Sequence, residues 1–127
     1  MPNYPLLFEA GLLLVYVRLS GPKGSRLIRL AVDTGATATL IPPKAALAIG
    51  INPARSTTFR ETLTASGKEL IPLVVIPRMQ VFDTTLRRVT LACHELPSES
   101  PIDGLLGLDI LTRLHAVIDL RTSSIHL

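Results

Sequence analysis

The chain has a single cysteine, Cys93, no tryptophan, and five other aromatic residues among 127. One thiol cannot close an internal disulfide, so a disulfide-stapled secreted scaffold is excluded and a reducing compartment is compatible. Cys93 sits in an apolar, alternating segment, where a buried structural thiol is expected rather than a nucleophile. With so few aromatics, a formal net charge of only +3 and no basic run longer than Arg87-Arg88, there is little to stack or neutralise a nucleic acid. No uninterrupted apolar stretch of about 18 residues occurs, so no spanning helix is expected. The run Leu12-Leu13-Leu14-Val15-Tyr16-Val17 is too short and is flanked by Glu9 and Arg18. The opening Met1-Pro2-Asn3-Tyr4 lacks the basic start of a signal peptide. These absences together point to a cytoplasmic protein with no membrane insertion. His94, His115 and His126 are widely spaced and form no HExxH-type or Cys-paired arrangement, so neither a metal nor another cofactor is expected. No Gly-x-Ser-x-Gly elbow surrounds any serine, which argues against a serine hydrolase.

What is present is apolar. Hydrophobic residues make up 47% of the chain and mean hydropathy is +0.41, high for a soluble monomer. Buried subunit contact accounts for this surplus, and so does a compact core with an apolar surface patch. The length suits one domain spanning 1–127 with a substantial core, and no repeat, linker or low-complexity tract divides it.

Residues 6–19 read as one long strand, or as two broken at Gly11. Residues 20–25 form a turn by composition. Residues 26–32 are the partner strand, with Arg26, Ile28, Leu30 and Val32 on one face and Leu27, Arg29 and Ala31 on the other; the pair makes an antiparallel hairpin. Residues 39–41 are a short strand stopped by Pro42-Pro43. Residues 44–49 suit one or two helical turns, with Pro43 at the start and Gly50 at the end. Residues 55–64 and 68–75 are strand-like runs joined by Ala65-Ser66-Gly67, and Pro77 reads as a boundary. Residues 79–82 and 86–93 form another hairpin, in which Leu86, Val89, Leu91 and Cys93 alternate imperfectly, as a bulge or a misplaced boundary would make them. Residues 94–101 are a loop, 107–114 the one convincing helix, and 116–120 and 124–127 the final strands. The class is all-β with one short C-terminal helix.

One stretch stands out. The apolar run Leu30-Ala31-Val32 ends abruptly in Asp33-Thr34-Gly35-Ala36. Asp-Thr-Gly by itself is ordinary turn chemistry, with the aspartate capping its own loop. Yet a carboxylate at the end of a buried strand is an expensive placement unless something uses it. Read through Thr37-Ala38-Thr39-Leu40-Ile41-Pro42, the stretch resembles the active-site loop of retropepsin-like aspartic proteases. The later run Ile102-Asp103-Gly104-Leu105-Leu106-Gly107-Leu108-Asp109-Ile110-Leu111 is similar to the family's second apolar-apolar-Gly stretch, which leads into its regular helix. The order and separation of the two runs match single-lobe, retroviral-type members, and the Gly107-to-Leu111 portion is closer to cellular and bacterial ones.

That resemblance implies a closed β-barrel lobe and an aspartic endopeptidase. Two carboxylates sharing one proton do its chemistry: the ionised one takes a proton from water and the protonated one polarises the amide carbonyl. Close like charges cannot both ionise, and the aspartic-protease pair is the established example of that effect. Asp83, Asp103, Asp109 and Asp119 are not followed by Thr-Gly or Ser-Gly, so the second catalytic carboxylate has to come from Asp33 of a second copy across a two-fold axis. The resemblance further implies that Thr34 bonds to the partner loop, that the Gly35 N–H bonds the carboxylate, and that small Ala36 admits the substrate backbone. It casts Ala65, Ser66, Gly67 and Lys68 as the tip of a flap over a peptide or unfolded-protein substrate. Thr37 stands where many viral members have a second acidic residue. Asp109 reads as a helix-start or interface salt-bridge residue, and Asp103 and Asp119 as solvated or capping groups. A catalytically silent dimerisation or peptide-binding module on the same fold is the rival reading, and an assembly domain of a longer polyprotein a third.

Overall fold

Left-handed backbone sets the first turn. Ala10 and Gly11 have φ of 53° and 75°, which folds β2 (Leu7–Glu9) back onto β3 (Leu12–Gly21), with Phe8 opposite Leu13. The break at Gly11 is therefore a complete hairpin. The structure is a computed structural model and describes residues 2–64 and 66–127. β3 turns at Pro22-Lys23 into β4 (Gly24–Val32), paired from Leu14–Ala31 to Gly21–Gly24. After the 33–39 loop come β5 (Leu40–Ile41), helix α1 (Pro43–Ala48), β6 (Phe59–Thr64), β7 (Gly67–Val81) and β8 (Thr84–Cys93). Then follow β9 (Gly104–Leu106), helix α2 (Leu108–Arg113), β10 (Val117–Asp119) and β11 (Ser124–His126), with β1 (Asn3–Pro5) preceding them all.

The larger sheet runs β2-β3-β4-β9-β5-β8-β7-β6, and β3 also pairs with β7, Val17 opposite Val81. That extra pairing closes β3, β4, β9, β5, β8 and β7 into a barrel. Its interior is apolar: Val17, Leu19, Leu30, Ile41, Ile76, Met79, Val81 and Leu106 are fully buried. The β4–β9 and β5–β8 pairings are parallel. β9 is thus a wedge between β4 and β5, and only a glycine fits at its start: a Cβ on Gly104 would overlap the Leu40 carbonyl oxygen.

Pro77 does not end a strand, as its position predicts; β7 runs through it. The register places Pro77 opposite Arg88, between the Ile76–Val89 and Arg78–Arg87 pairs. Arg88 has φ 52°. Strict alternation would put Ile76 and Met79 on opposite faces, yet both are buried, as are their partners Val89 and Leu86. Both strands change phase at the same point, so the pairing survives and the apolar residues stay inside. That joint reset is the imperfect alternation seen in residues 86–93. β6 also starts later than expected, because Pro53–Arg55 form a 3₁₀ turn whose Ala54 N–H donates to the Asn52 side chain.

A smaller sheet, β1-β11-β10, joins the chain ends, with Tyr4 opposite Ile125. No local sequence pattern marks its first strand. The Tyr4 ring stacks on Phe82 at 4.4 Å and its hydroxyl donates to Asp83 at 2.8 Å. Among the described residues no helix is long and apolar enough to cross a membrane. Replacing Gly104 by Ala should destabilise the fold by about 3 kcal/mol, because a backbone carbonyl cannot retreat as a side chain does. Urea unfolding measures this, and an unchanged midpoint would mean that β9 has room to shift.

Candidate active site

β4 delivers Asp33 to one end of the barrel. The Asp33 N–H donates to Leu106 O at 3.0 Å, which extends the parallel β4–β9 pairing by one bond. The chain then turns tightly: Ala36 N–H donates to Asp33 O at 3.2 Å and Gly35 N–H to Asp33 Oδ1 at 2.8 Å. A Cβ at position 35 would stand 3.1 Å from that same oxygen, a tight contact that glycine avoids. Asp33 is half-buried and Thr34 exposed. Among the described residues no protein donor reaches Asp33 Oδ2.

The other aspartates are engaged differently. Asp83 accepts from Tyr4, and Asp103 Oδ2 from the Arg29 N–H at 2.8 Å. Asp119 Oδ1 caps a turn, accepting from the Arg121 and Thr122 N–H groups. Asp109 lies in the first turn of α2 and does more than favour the helix dipole. Its Oδ1 accepts the Thr39 hydroxyl at 2.7 Å, and its carboxylate accepts the Thr39 N–H at 3.0 Å. Thr39 is fully buried and its Oγ1 accepts the Gly107 N–H at 2.9 Å. Leu108 N–H donates to Ala36 O at 2.8 Å, and a Cβ on Gly107 would come within 2.7 Å of that carbonyl oxygen. The far end of the 33–39 loop is thus bolted to the start of α2. Asp109 is therefore an intrachain loop anchor, a role its sequence neighbours do not reveal.

Of the expected flap-tip residues, Ser66, Gly67 and Lys68 lie on the hairpin of β6 and β7. Ala65 lies outside the described residues. Gly67 has φ 110°, which suits a hairpin tip, and Lys68 Nζ pairs with Glu61 at 3.3 Å. Arg60, further down the same hairpin, donates from Nη2 to Thr37 Oγ1 in the Asp33 loop. Nothing in the sequence marks Arg60, because this contact joins residues 23 apart on different elements. Beside Thr34, Leu108, Thr112, His115, Ala116 and Ile118 surround a shallow cavity of about 260 Å³. Cys93 is buried and unpaired by any disulfide; burial pushes its thiol up to about 11, which removes it as a nucleophile.

A barrel of this topology, with an Asp-Thr-Gly turn tied to a second apolar-Gly stretch, is a retropepsin-like aspartic protease lobe. The chain belongs to the aspartyl protease family, whose sequence pattern matches residues 15–110. Its fold is similar to a retropepsin-like aspartic protease from Rickettsia conorii, with a TM-score of 0.70 and 18% identity over 98% of this chain and 86% of that one. It is also similar to the retroviral protease-like domain of Ddi1 from Leishmania major, with a TM-score of 0.63 and 17% identity over 91% and 87% of the two chains. At such identities the likeness concerns the fold. No curated protein matches the chain in sequence.

Two measurements follow from this geometry. Thr39→Val, which strips Asp109 and the Gly107 N–H of a buried partner, should cost about 2 kcal/mol. Combined with Asp109→Ala, the loss should be less than the sum of the two, because both break one network; additive losses in urea unfolding would separate them. The raised Cys93 thiol is neutral when folded, so its contribution to stability is complete below the unfolded value near 9 and fades as pH rises towards about 11. Cys93→Ser should flatten the alkaline limb of stability against pH; an identical limb would assign it to other groups.

Proposed function

We propose that the chain is an aspartic endopeptidase, acting as a homodimer in which the Asp33 carboxylates of two copies share one proton across a two-fold axis. The observation that carries this reading is the state of Asp33: one oxygen is held by the Gly35 N–H and, among the described residues, the other meets no protein donor, on a loop anchored at both ends. Every other aspartate already bonds a backbone or side-chain donor of its own chain. A half-buried carboxylate placed this way is poised to take a proton from water once a second, protonated carboxyl group faces it.

The reaction needs neither metal nor covalent intermediate. Water between the carboxylates loses a proton to the ionised one and attacks the scissile carbonyl carbon; the protonated one donates its hydrogen bond to the carbonyl oxygen. Collapse of the tetrahedral intermediate returns a proton to the leaving amine. Thr34, exposed beside Asp33, is the residue offered to the partner's loop, and Ala36 leaves room for a peptide backbone. The shallow cavity next to Thr34 supports the dimer, because its rim includes Leu108, 37% exposed. The β6–β7 hairpin, with Ser66, Gly67 and Lys68 towards its tip, acts as the flap, and the substrate lies extended as an added strand. The domain 1–127 works as one unit.

Cleavage of a peptide library at several pH values tests this. The shared proton confines activity to mildly acidic pH, falling where both carboxyls are protonated and where both are ionised. Asp33→Asn should reduce cleavage by about 10²–10⁴-fold or more while the mass measured by light scattering stays that of a dimer. Equal cleavage by the Asn variant would overturn the enzyme. Binding without cleavage by the wild type would establish the silent peptide-binding module in its place, and a monomer at all concentrations would exclude the shared pair.

A further inference from the structure

The Arg60 contact carries more than it explains. Antiparallel pairing puts Arg60 opposite Ile71 and Thr62 opposite Glu69 on one face of the β6–β7 hairpin, and Phe59, Glu61 and Leu63 with Pro72, Leu70 and Lys68 on the other. The face with Arg60 is turned towards the barrel: Ile71 is buried and Arg60 reaches Thr37. The opposite face points outward: Phe59, Leu63 and Leu70 are 50–79% exposed. Arg60 therefore stands on the Asp33 side of the hairpin, bonded to a residue four positions after Asp33.

Its charge has no carboxylate partner there among the described residues. Glu61, its sequence neighbour, is turned to the other face and held by Lys68. Glu69, the one carboxylate on the same hairpin face, makes no ion pair with it; among the described residues the ion pairs are Arg29–Glu9 and Lys68–Glu61. Thr37, which it does touch, is neutral. A guanidinium has five N–H donors in a planar fork, and one is used. In open solvent an exposed arginine needs no partner. Under a bound peptide, with water displaced, an unpaired guanidinium is costly and a carboxylate in reach binds it in a two-pronged pair.

We propose that Arg60 is a specificity-determining residue that selects an acidic side chain, aspartate or glutamate, in the peptide bound between the hairpin and the Asp33 loop. This rests on the peptide-binding part of the reading above and not on catalysis. Thr37 holds the guanidinium at the loop without neutralising it, so the spare donors are presented to the ligand.

The test separates the two. Fluorescein-labelled peptides from a library, each varied one position at a time among Glu, Gln and Lys, are titrated into the Asp33→Asn protein by fluorescence anisotropy, and the same peptides are offered to the wild type for cleavage. At one position Glu should bind about tenfold tighter than Gln, the worth of one charge-assisted bond, and Lys should be weakest. Arg60→Gln should remove this preference at that position alone, and Arg60→Glu, checked for an unchanged unfolding midpoint, should invert it in favour of Lys. Charge selection in binding without any cleavage would support Arg60 while ending the proteolytic reading. No charge preference at any position, a preference that survives Arg60→Glu, or failure of every peptide to bind would overturn the assignment.

Discussion

A single buried hydroxyl holds the site to the fold. Thr39 Oγ1 donates a hydrogen bond to Asp109 and accepts one from the Gly107 N–H, while the Thr39 N–H donates to the same carboxylate. Each group would be an unsatisfied buried polar atom without the others, and such atoms are expensive. The loop that begins at Asp33 therefore cannot drift from α2 without breaking several bonds at once. The bond from Leu108 to Ala36 O and the narrow gap that admits only glycine at position 107 reinforce the same junction. Rigidity at this end of the barrel contrasts with the β6–β7 hairpin, whose outward face carries Phe59, Leu63 and Leu70 in the open beside the Lys68–Glu61 pair. Among the described residues, its side-chain tie to the loop is the Arg60–Thr37 contact.

Much of this could be read from the residues. The alternation of Arg26 to Val32, the proline and glycine bracketing α1, and the helical spacing of Leu108, Leu111 and Leu114 are local signals, and the elements they imply are present. The family was legible for a related reason: both of its motifs combine a backbone requirement with a chemical one, and few sequences satisfy both by accident. The Gly35 N–H bond to the carboxylate was foreseeable on the same ground.

What stayed hidden depends on distant pairing. β1 is three residues long and acquires its structure from β11 and from the Tyr4–Phe82 stack, so its own pattern says nothing. The strand through Pro77 defeats a local rule because Arg88, across the ladder, adopts a left-handed conformation at the same level. Neither irregularity makes sense alone; together they keep both apolar faces inward. Arg60 and Asp109 belong to the same category. Their partners, Thr37 and Thr39, lie 23 and 70 residues away, and polar residues in polar surroundings give no sign of what they will touch.

The wedge formed by β9 also sets a schedule. Asp33 is made early, but the strand beside it and the carboxylate that anchors its loop come some 70 residues later. Contacts of such long sequence separation form slowly, since a long loop must close before any of them is rewarded. During synthesis the residues before β9 can build hairpins but cannot complete the barrel, because β9 lies between β4 and β5 in the sheet. The geometry around Asp33 is therefore completed only once residues through Asp109 have been made, long after Asp33 itself.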